Sequence, residues 1–582
     1  MSGRAARLLA AALGLAAGAG VPAASAQQAT PPEQMAQYEA DAAKTILELQ
    51  PFRRGQEVTD ASGLKLRLAS LNPGVNAWFL LDTGGESKGG ASYHLENPDA
   101  RGVRVELAAG PPAALVLTGR AGAERCDPWA GRQSALESAR KSGLPYAPLC
   151  GGRLYLRNAV RGSRTSLERV TDFLRDHVWQ GEEIVGFVRE TFFLDTYAKS
   201  GQQGAGGGDR PAPDGPAPAR TDPALAGQAV VPADLGLGLA GTPGGRMALG
   251  AWYAVDGLPG VFASVIQPKA ISPEVLRGPG RTNALDGVEA AALDYMVAFD
   301  LGRFHVGFAL GTDHPRLGWS PRTPAMMQDA RLPGPDGVGS PAPLVTIGMV
   351  SPALAGRTVA AFTGGFKREH GAFRYGDLAT RNHGSHYGFV EQGVIFSKLQ
   401  PGLSTIYVLD DGSVGMKTWT REDDRLLPRI RFARQNGVPL LETTPDGGAG
   451  VPGDLVTSWG PGNWSGSSDK ALRTLRSGAC LLEEGGRRFL AYGYFSTATP
   501  SAMARTFQAY GCRYAMLLDM NALEHTYLAL YVRRQGHVDV EHLIPGMTEV
   551  DKTGRGGKLI PRFIGFPDNR DLFYLVRREE DR

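Results

Sequence analysis

The chain has 582 residues and a net charge of +3, and 42% of its residues are hydrophobic. This length exceeds one ordinary core and predicts two or three domains. There is no basic run of the kind that marks a nucleic-acid-binding surface, so we expect no nucleic-acid partner. After the first 26 residues, no stretch approaches the roughly 20 apolar residues of a membrane-spanning helix.

The first 26 residues have the layout of a secretory signal peptide. Arg4 and Arg7 precede an apolar run over 8–21, and the small residues Ala24-Ser25-Ala26 follow it. The run is too short to span a bilayer comfortably. The sequence therefore predicts a periplasmic or secreted protein.

The four cysteines form two sequence neighbourhoods. An oxidising compartment favours pairing within each neighbourhood, so we predict disulfides between Cys126 and Cys150 and between Cys480 and Cys512. Four buried thiols are the alternative. No CxxC pair indicates a structural zinc site, and we expect neither a metal nor a cofactor.

A smaller, strand-rich N-terminal domain is predicted over 27–199. An amphipathic helix opens it in 32–52, short alternating strands follow, and Thr165-Ser166 marks the start of a second helix. No catalytic constellation stands out, because His177 and Glu182 match a solvated helix end. We expect this domain to function in adhesion, targeting or scaffolding, with a possible envelope protein partner.

Residues 200–245 are predicted to form a disordered linker rich in Gly and Pro. The stretch GQQGAGGGDRPAPDGPAPARTDPALAG, over 201–227, contains almost no residue able to build a core. The regions on either side should therefore be separate domains.

The C-terminal domain, 246–582, is predicted to be α+β with a mixed sheet. Two strands meet at Gly302, and Asp411-Gly412 marks a hairpin between two alternating runs. The stretch SAMARTFQAYGC predicts a helix that ends at Gly511. The following RYAMLLD predicts a strand that ends at Asp519.

Two loops carry polar groups at the ends of apolar strands. In FTGGFK, the amides of Gly364 and Gly365 can cradle an anion beside Lys367, although an ordinary tight turn explains the same residues. In RNHGSHYG, His383 and His386 suit proton transfer, phosphate binding or, with a third ligand, a metal.

Two further strands carry charged groups. Arg476 enters the strand that contains Cys480, and Asp519 ends the strand MLLD. If Cys480 bonds Cys512, Arg476 and Asp519 face one cleft, although a buried ion pair explains the same residues. The loop after Asp519 adds three polar residues: Asn521, Glu524 and His525.

The order of these motifs resembles the phosphodiester glycosidase family. AAFTGGF stands where that family has a strand ending in Asn-Gly-Gly-Phe. LRSGACLL stands in place of its Arg-led strand, and GCRYAMLLDMN in place of its strand ending in Leu-Asp-Gly-Gly. The likeness spans about 293–531 and leaves out the N-terminal domain. The matching positions are Gly364, Gly365, Phe366, Arg476 and Asp519.

The departures from the family pattern fall on the predicted site. Thr363 stands in place of Asn, which removes an amide, and Met520 and Asn521 stand in place of two glycines. Asn tolerates the left-handed backbone region, whereas Met leaves less room and turns less readily. The loop is therefore expected to keep its shape around a smaller pocket.

The resemblance implies a glycosidase that acts on a sugar phosphodiester of a cell-envelope or extracellular polysaccharide. The catalytic candidates are Asp519, Arg476, His386 and Glu524. The candidates for binding a carbohydrate or sugar-phosphate ligand are Thr363, Gly364, Gly365, Phe366, Lys367, His383, Asn521 and His525. One alternative is a catalytically inactive descendant that binds glycan or an envelope partner. Another is a metal-dependent hydrolase that uses His383, His386 and His525.

Overall fold

The structure is a computed structural model. It describes the following residues: 29–40, 43–60, 62–84, 90–131, 133–165, 202–204, 209–225, 227–242, 245–315, 317–320, 323–334, 337–367, 387–457 and 473–579. The predicted signal peptide and the helix predicted after Thr165, with His177 and Glu182, lie outside the described residues. His383 and His386 lie outside them as well.

The N-terminal region contains two sheets. The first has the order β1-β2-β3-β4-β9-β8, with strands β1 Arg54–Thr59, β2 Lys65–Ser70, β3 Trp78–Thr83, β4 Ala91–Glu96, β8 Tyr146–Leu149 and β9 Leu154–Arg157. The second contains β5 Arg104–Ala108, β6 Ala114–Gly119 and β7 Gly122–Cys126. These strands agree with the alternating runs of the sequence.

The C-terminal region is built mainly on three larger sheets. The eight-stranded sheet contains, in spatial order, β13 Trp252–Ala254, β14 Val261–Ile266, β15 Asp294–Asp300, β26 Arg487–Ala498, β25 Thr474–Glu484, β27 Tyr514–Met520, β23 Pro439–Glu442 and β24 Val451–Pro452. One five-stranded sheet contains β16 Phe304–Ala309, β32 Leu572–Arg577, β17 Thr358–Thr363, β28 Leu528–Arg534 and β29 His537–His542. The other contains β19 Val394–Ser397, β18 Phe389–Glu391, β22 Ile430–Gln435, β20 Ser404–Leu409 and β21 Val414–Thr418.

The remaining elements are short. Two small sheets contain β10 Gln202–Gly204, β11 Ala229–Val231 and β12 Met247–Ala248, and β30 Lys552–Thr553 and β31 Leu559–Ile560. The α-helices are α1 Pro31–Glu39, α2 Ile46–Leu49, α3 Ala135–Lys141, α4 Pro273–Leu276, α5 Gly287–Ala291, α6 Pro352–Ala355 and α7 Pro500–Ala509. The 3₁₀ turns are Cys150–Gly152, Pro223–Leu225, Pro268–Ala270, Ala325–Met327, Arg421–Arg429, Pro545–Val550 and Arg555–Gly557.

The α+β class is confirmed, but the mixed sheet predicted for the C-terminal region is wrong. Each ladder of the eight-stranded sheet is antiparallel. The predicted strand, helix, strand unit does exist as β26, α7 and β27. However, β25 lies between β26 and β27 and pairs antiparallel with both, so the two parallel strands never share a ladder.

Strand β3 joins the two regions through both of its faces, because successive side chains of a strand point to opposite sides. Trp78 and Leu80 belong to a core that includes the C-terminal sheets, whereas Phe79 and Leu81 belong to a second core within the N-terminal region. The ring of Trp78 packs edge-on against that of Phe396, with centroids 6.0 Å apart. The two regions therefore share buried apolar surface.

Part of the predicted linker packs against the C-terminal region. Residues 209–225 and 227–242 are described; within them, Val230 is buried, and the Gly236 amide donates to the Leu543 carbonyl at 2.9 Å. The structure thus differs here from the flexible segment that composition indicates. The reason is that backbone hydrogen bonds to distant strands can hold a Gly- and Pro-rich segment, and composition does not encode them.

Several local predictions are confirmed. The disulfides are Cys126–Cys150 and Cys480–Cys512. The hairpin of β20 and β21 turns at Asp411-Gly412, and α7 is followed by Gly511, whose φ of 78° is the left-handed conformation that glycine favours. Within the described ranges, no helix has both the length and the apolar character needed to cross a membrane.

Candidate functional site

The end of β27 places Asp519 in the interior. The strand is buried along its whole length, because β25 and β23 flank it in the middle of the eight-stranded sheet. Asp519 is 3% exposed, and its Oδ1 accepts from the Met520 amide at 2.8 Å. Asn521 follows with a φ of 81°, which confirms the prediction that Asn takes the left-handed position of a family glycine.

Asp519 forms a buried ion pair with Arg570. Its Oδ2 lies 2.7 Å from Arg570 Nη1, and both side chains are 5% exposed. Arg476, the partner that the sequence suggested, instead donates through Nε to the Ala498 carbonyl at 2.7 Å and contacts Met520 Sδ through Nη1 at 3.3 Å. Arg476 pairs with Met520 across the β25–β27 ladder, so it shares a face with Met520 and not with Asp519.

The environment of Arg476 differs from that of a phosphate-binding arginine. Its side chain is fully buried, and burial lowers its pKa to about 9, opposed by the charge of Glu289. Met520, which packs on it, is also buried. The Met520 side chain therefore lies beside Arg476 and does not separate Asp519 from Arg570.

His525 and Glu524 extend the ion pair toward the surface. His525 Nδ1 donates to the Met520 carbonyl at 2.9 Å, while Nε2 lies 2.7 Å from Arg570 Nη2 and 3.4 Å from Glu524 Oε1. With Nδ1 as the donor, Nε2 carries the lone pair that accepts from Arg570. The imidazole is therefore held between the Met520 carbonyl and the Arg570 guanidinium. We call Asp519, Glu524, His525 and Arg570 the Asp519 cluster.

Glu524 is the more accessible carboxylate of the Asp519 cluster. Its side chain is 11% exposed. Burial raises its pKa, but the hydrogen bond and charge of His525, then Arg570 and the Thr165 hydroxyl, outweigh burial and lower the pKa below its ordinary value. Glu524 is therefore ionised at neutral pH and able to accept a proton.

Two amides of the glycine turn after β17 donate to protein oxygens, unlike those of an open anion-binding loop. The Gly364 amide already donates to the Asp571 carbonyl at 2.8 Å, and the Phe366 amide donates to Asn436 Oδ1 at 3.2 Å. Buried backbone N–H groups need such partners. The Gly364 amide, predicted to hold a phosphate, thus donates to a protein carbonyl in this structure.

Gly365 is required by close packing. Its φ is 131°, and a Cβ at this position would lie 2.7 Å from Arg434 Nη1 and 2.9 Å from Asn436 Oδ1. Arg434 itself donates through Nη2 to the Phe366 carbonyl at 2.6 Å. The turn thus supports a buried guanidinium.

Thr363 supports the loop of the Asp519 cluster and does not point to a ligand. It is fully buried, its hydroxyl donates to the His525 carbonyl at 2.5 Å, and its amide donates to the Tyr527 carbonyl at 3.1 Å. Asn521 has a similar role, because its Oδ1 accepts from the Thr474 hydroxyl at 3.0 Å. Both residues shape the site through hydrogen bonds within the protein.

A second buried charge group lies behind the turn. Asp571 accepts from His314 Nδ1 and from the Gly311 amide, and its Oδ2 lies 3.1 Å from Arg434 Nη2. Burial raises the pKa of Asp571, but His314 and Arg434 outweigh it and hold the pKa below its ordinary value. The carboxylate is therefore ionised within a closed set of partners.

Lys367 approaches the same region from the end of the glycine turn. Its Nζ lies 3.6 Å from Asp313 Oδ2, which also lies 3.3 Å from Asn569 Nδ2. Asn569 and Arg570 are neighbours in the chain. Asp313 and Asn569 thus link Lys367 to the chain segment that carries Arg570.

The last described segment of the N-terminal region borders this site. The Ser163 amide donates to the Pro567 carbonyl at 2.9 Å, and Arg164 pairs with Asp313. Gly162 permits this approach, because a Cβ there would lie 2.3 Å from Thr312 Oγ1. The N-terminal region therefore contributes to the surroundings of the Asp519 cluster.

The stretch GFPDNRD, over 565–571, is not among the site residues predicted from the sequence. It supplies Arg570 and Asp571, and Arg562 holds it by a bidentate ion pair to Asp568 at 2.8 and 3.0 Å. The available signal was the same one that identified Asp519, namely charged residues directly beside an apolar strand, here β32. The stretch lies outside the range of the family resemblance, so the resemblance could not supply it.

The structure provides no support for a metal centre within its described ranges, where no group of three or more His, Cys, Asp or Glu side chains is placed to hold an ion. His525 is bonded to the Met520 carbonyl and Arg570. His383 and His386, the other two proposed ligands, lie outside the described residues.

No family model matches this chain, and no curated protein matches it in sequence. Among solved structures, the catalytic domain of zebrafish N-acetylglucosamine-1-phosphodiester alpha-N-acetylglucosaminidase, auto-inhibited by its pro-peptide, is 11% identical. That alignment covers 56% of this chain and 85% of that chain, with a TM-score of 0.27. A hypothetical protein from Synechocystis is 11% identical over 90% of this chain and 99% of that chain, with a TM-score of 0.26. At these TM-scores and identities, the two solved structures do not indicate the function of this chain.

Proposed function

We propose that this protein is an exported hydrolase that acts on a sugar phosphodiester of a cell-envelope or extracellular polysaccharide. The observation that carries the proposal is the Asp519 cluster, in which two carboxylates flank an arginine and a histidine. A phosphodiester needs a cation for its charge, and glycosyl transfer to water needs a base. The cluster supplies both within one set of hydrogen bonds.

Arg570 and Lys367 are the proposed phosphate-binding cations. Arg570 is held by Asp519 on one side and by His525 on the other, so its guanidinium is fixed before a ligand arrives. We assign Asp519 the role of orienting Arg570, because Oδ2 is in the ion pair and Oδ1 accepts from the Met520 amide. The sequence had suggested it as acid, base or nucleophile.

Glu524 is the proposed general base. It takes a proton from water as the water oxygen bonds to the anomeric carbon, and the bond from that carbon to the phosphate oxygen breaks. The electron pair leaves with the phosphate, which needs less protonation than an alkoxide. The proton on Glu524 is then released to bulk water, because Glu524 is the more exposed carboxylate of the cluster.

The decisive experiment uses purified full-length protein and a panel of methyl phosphodiesters of hexose and N-acetylhexosamine 1-phosphates. Hydrolysis at the anomeric carbon releases equal amounts of free sugar and methyl phosphate. We expect Glu524→Gln to lower kcat by about 100-fold, the range of general base catalysis. Glu549→Gln, which changes an exposed glutamate, is the matched control.

Two results would contradict this proposal. Equal kcat values for the wild type, Glu524→Gln and Glu549→Gln would remove Glu524 from the reaction. Absence of turnover across the whole panel, with a folded protein, would reject hydrolysis of these diesters. His525→Gln, compared with His537→Gln in the exposed strand β29, tests in the same way whether His525 holds Arg570 in position.

Catalytically inactive glycan binding is the second candidate. It is favoured by one observation, the mutual neutralisation of Asp519 and Arg570 in a buried pair, which is also a common structural arrangement. In that case the same diesters bind without turnover, and Glu524→Gln leaves the dissociation constant unchanged within twofold.

A further inference from the structure

A second polar cleft lies between the N-terminal region and the hairpin side of the C-terminal region. Its volume is about 820 Å³. Strands β1, β2 and β5 form one wall, and the turn of the β20–β21 hairpin with the start of β22 forms the other. None of its lining residues belongs to the Asp519 cluster. It is therefore a separate site candidate.

The cleft is lined by five arginines and three carboxylates. The arginines are Arg54, Arg101, Arg104, Arg429 and Arg431, and the carboxylates are Glu106, Asp410 and Asp411. Arg429 engages both aspartates, at 3.0 Å from Asp410 Oδ1 and 2.7 Å from Asp411 Oδ2. The remaining charged lining residues are one carboxylate, Glu106, and four arginines: Arg54, Arg101, Arg104 and Arg431.

Those four guanidinium groups have no carboxylate partner among the residues that the structure describes. Arg101 donates to the backbone carbonyl of Asp410 at 2.5 Å, and Arg431 donates to Gln392 Oε1 at 2.9 Å, so both partners are neutral. Arg54 on β1 and Arg104 on β5 lie on the same wall, and both side chains are exposed. The cleft thus carries positive charge that the protein itself does not neutralise.

His305 lies next to the cleft, near Arg101. A Cβ added to Gly412 would lie 3.0 Å from His305 Nδ1 and 3.5 Å from Arg101 Nη2, which shows how close the imidazole is to the cleft wall. Burial lowers the pKa of His305 to about 4, helped by Arg578, Arg101, Arg431 and Arg357. Two of these four arginines, Arg101 and Arg431, line the cleft.

The geometry points to a binding site for an anionic polysaccharide, whose carboxylate or phosphate groups pair with Arg54, Arg101, Arg104 and Arg431. Guanidinium groups bind both oxyanions through paired hydrogen bonds. Glu106 and Asp411 can accept hydrogen bonds from sugar hydroxyls between the anionic groups. This gives the N-terminal region a binding role that does not depend on the proposed hydrolysis.

The lining favours a polysaccharide over a nucleic acid. Single-stranded nucleic acids stack their bases on aromatic faces, whereas Phe79, the aromatic residue of this lining, is 2% exposed. Duplex DNA carries one negative charge per about 1.7 Å of axis, and Glu106, which forms no ion pair among the described residues, would repel so dense a charge. An acidic sugar polymer spaces its charges by about one ring or more.

The test measures binding of full-length protein to polygalacturonate and to phosphorylated dextran, with fully methyl-esterified polygalacturonate, plain dextran and oligothymidine as comparison ligands. The variant is Arg54→Gln/Arg104→Gln. The matched control, Arg425→Gln/Arg555→Gln, removes two exposed arginines outside the cleft and gives the same change in net charge. Circular dichroism checks that both variants fold.

We expect at least one of the two anionic polymers to bind and its neutral counterpart not to bind. The cleft variant should bind about tenfold more weakly, equivalent to about 1.4 kcal/mol, and the control should match the wild type. Which polymer binds identifies carboxylate or phosphate as the ligand group. The proposal is overturned if neither anionic polymer binds, if both double variants weaken binding equally, or if oligothymidine binds as tightly. Hydrolysis by the Asp519 cluster is measured separately, so either proposal can fail alone.

Discussion

Arg570 Nη1 lies 2.7 Å from Asp519 Oδ2, and this buried ion pair ties the loop before the last strand to the end of β27. The two residues are 51 positions apart. Their pairing explains why a carboxylate can end a fully buried strand: a fixed guanidinium offsets the cost of its charge.

Breaking this pair from one side should be costly. We expect Asp519→Asn and Arg570→Met each to lower the free energy of unfolding by about 3–5 kcal/mol, because the remaining charge stays buried. The double variant should lose less than the sum of the two. Denaturant titration of all four proteins measures the difference, and strictly additive losses would show that the two side chains do not stabilise each other.

The buried charge group around Arg157 predicts a pH dependence of stability. Arg157 lies between two carboxylates, with Nη1 2.6 Å from Glu96 Oε2 and Nη2 3.7 Å from Glu391 Oε1. Burial raises the pKa of Glu391 to about 8; Arg157 and the Leu310 amide oppose the rise, and Glu96 and Asp571 add to it.

The sign of this effect follows from linkage. In the unfolded chain Glu391 ionises near its ordinary pKa of about 4.3, whereas the folded protein keeps the proton up to about pH 8. Its contribution to stability is therefore complete below the unfolded value and is lost as pH rises to about 8. Thermal unfolding at several pH values should show Glu391→Gln to be less sensitive than the wild type in this window. A Glu57→Gln control at the surface should keep the wild-type slope.

Gly365 should not tolerate a side chain. Gly365→Ala combines a positive φ with a Cβ 2.7 Å from Arg434 Nη1, so we expect a loss of about 2 kcal/mol or more in the free energy of unfolding. Gly485→Ala is the matched control, because φ is 56° there and no atom lies within 4 Å of the added Cβ. That control should cost about 1 kcal/mol. Equal losses at both positions would show that backbone strain alone is responsible.

Both disulfides should contribute to stability. They close segments of 24 and 32 residues, and loss of either by paired Cys→Ser substitution should cost about 3 kcal/mol. Thermal unfolding of the two double variants, compared with the reduced wild type, tests this. Unchanged melting on reduction would mean that other contacts hold these segments equally well.

Features that depend on near neighbours could be predicted from the sequence. Asp411-Gly412 makes a hairpin because these residues suit a tight turn, and Gly511 ends α7 because glycine accepts a positive φ. A continuous apolar run, YAMLL, predicted the strand that carries Asp519, which in the structure ends one residue later, at Met520. Asn521 took the left-handed conformation for the same local reason.

Which distant groups meet depends on the strand order and packing of the folded chain. Arg570 and not Arg476 pairs with Asp519, because the strand ladder places Arg476 beside Met520. The Gly364 amide donates to the Asp571 carbonyl, although the sequence of its turn predicts an open anion-binding loop. Strand order and close packing fix these contacts, and neither is encoded in the periodicity of one segment.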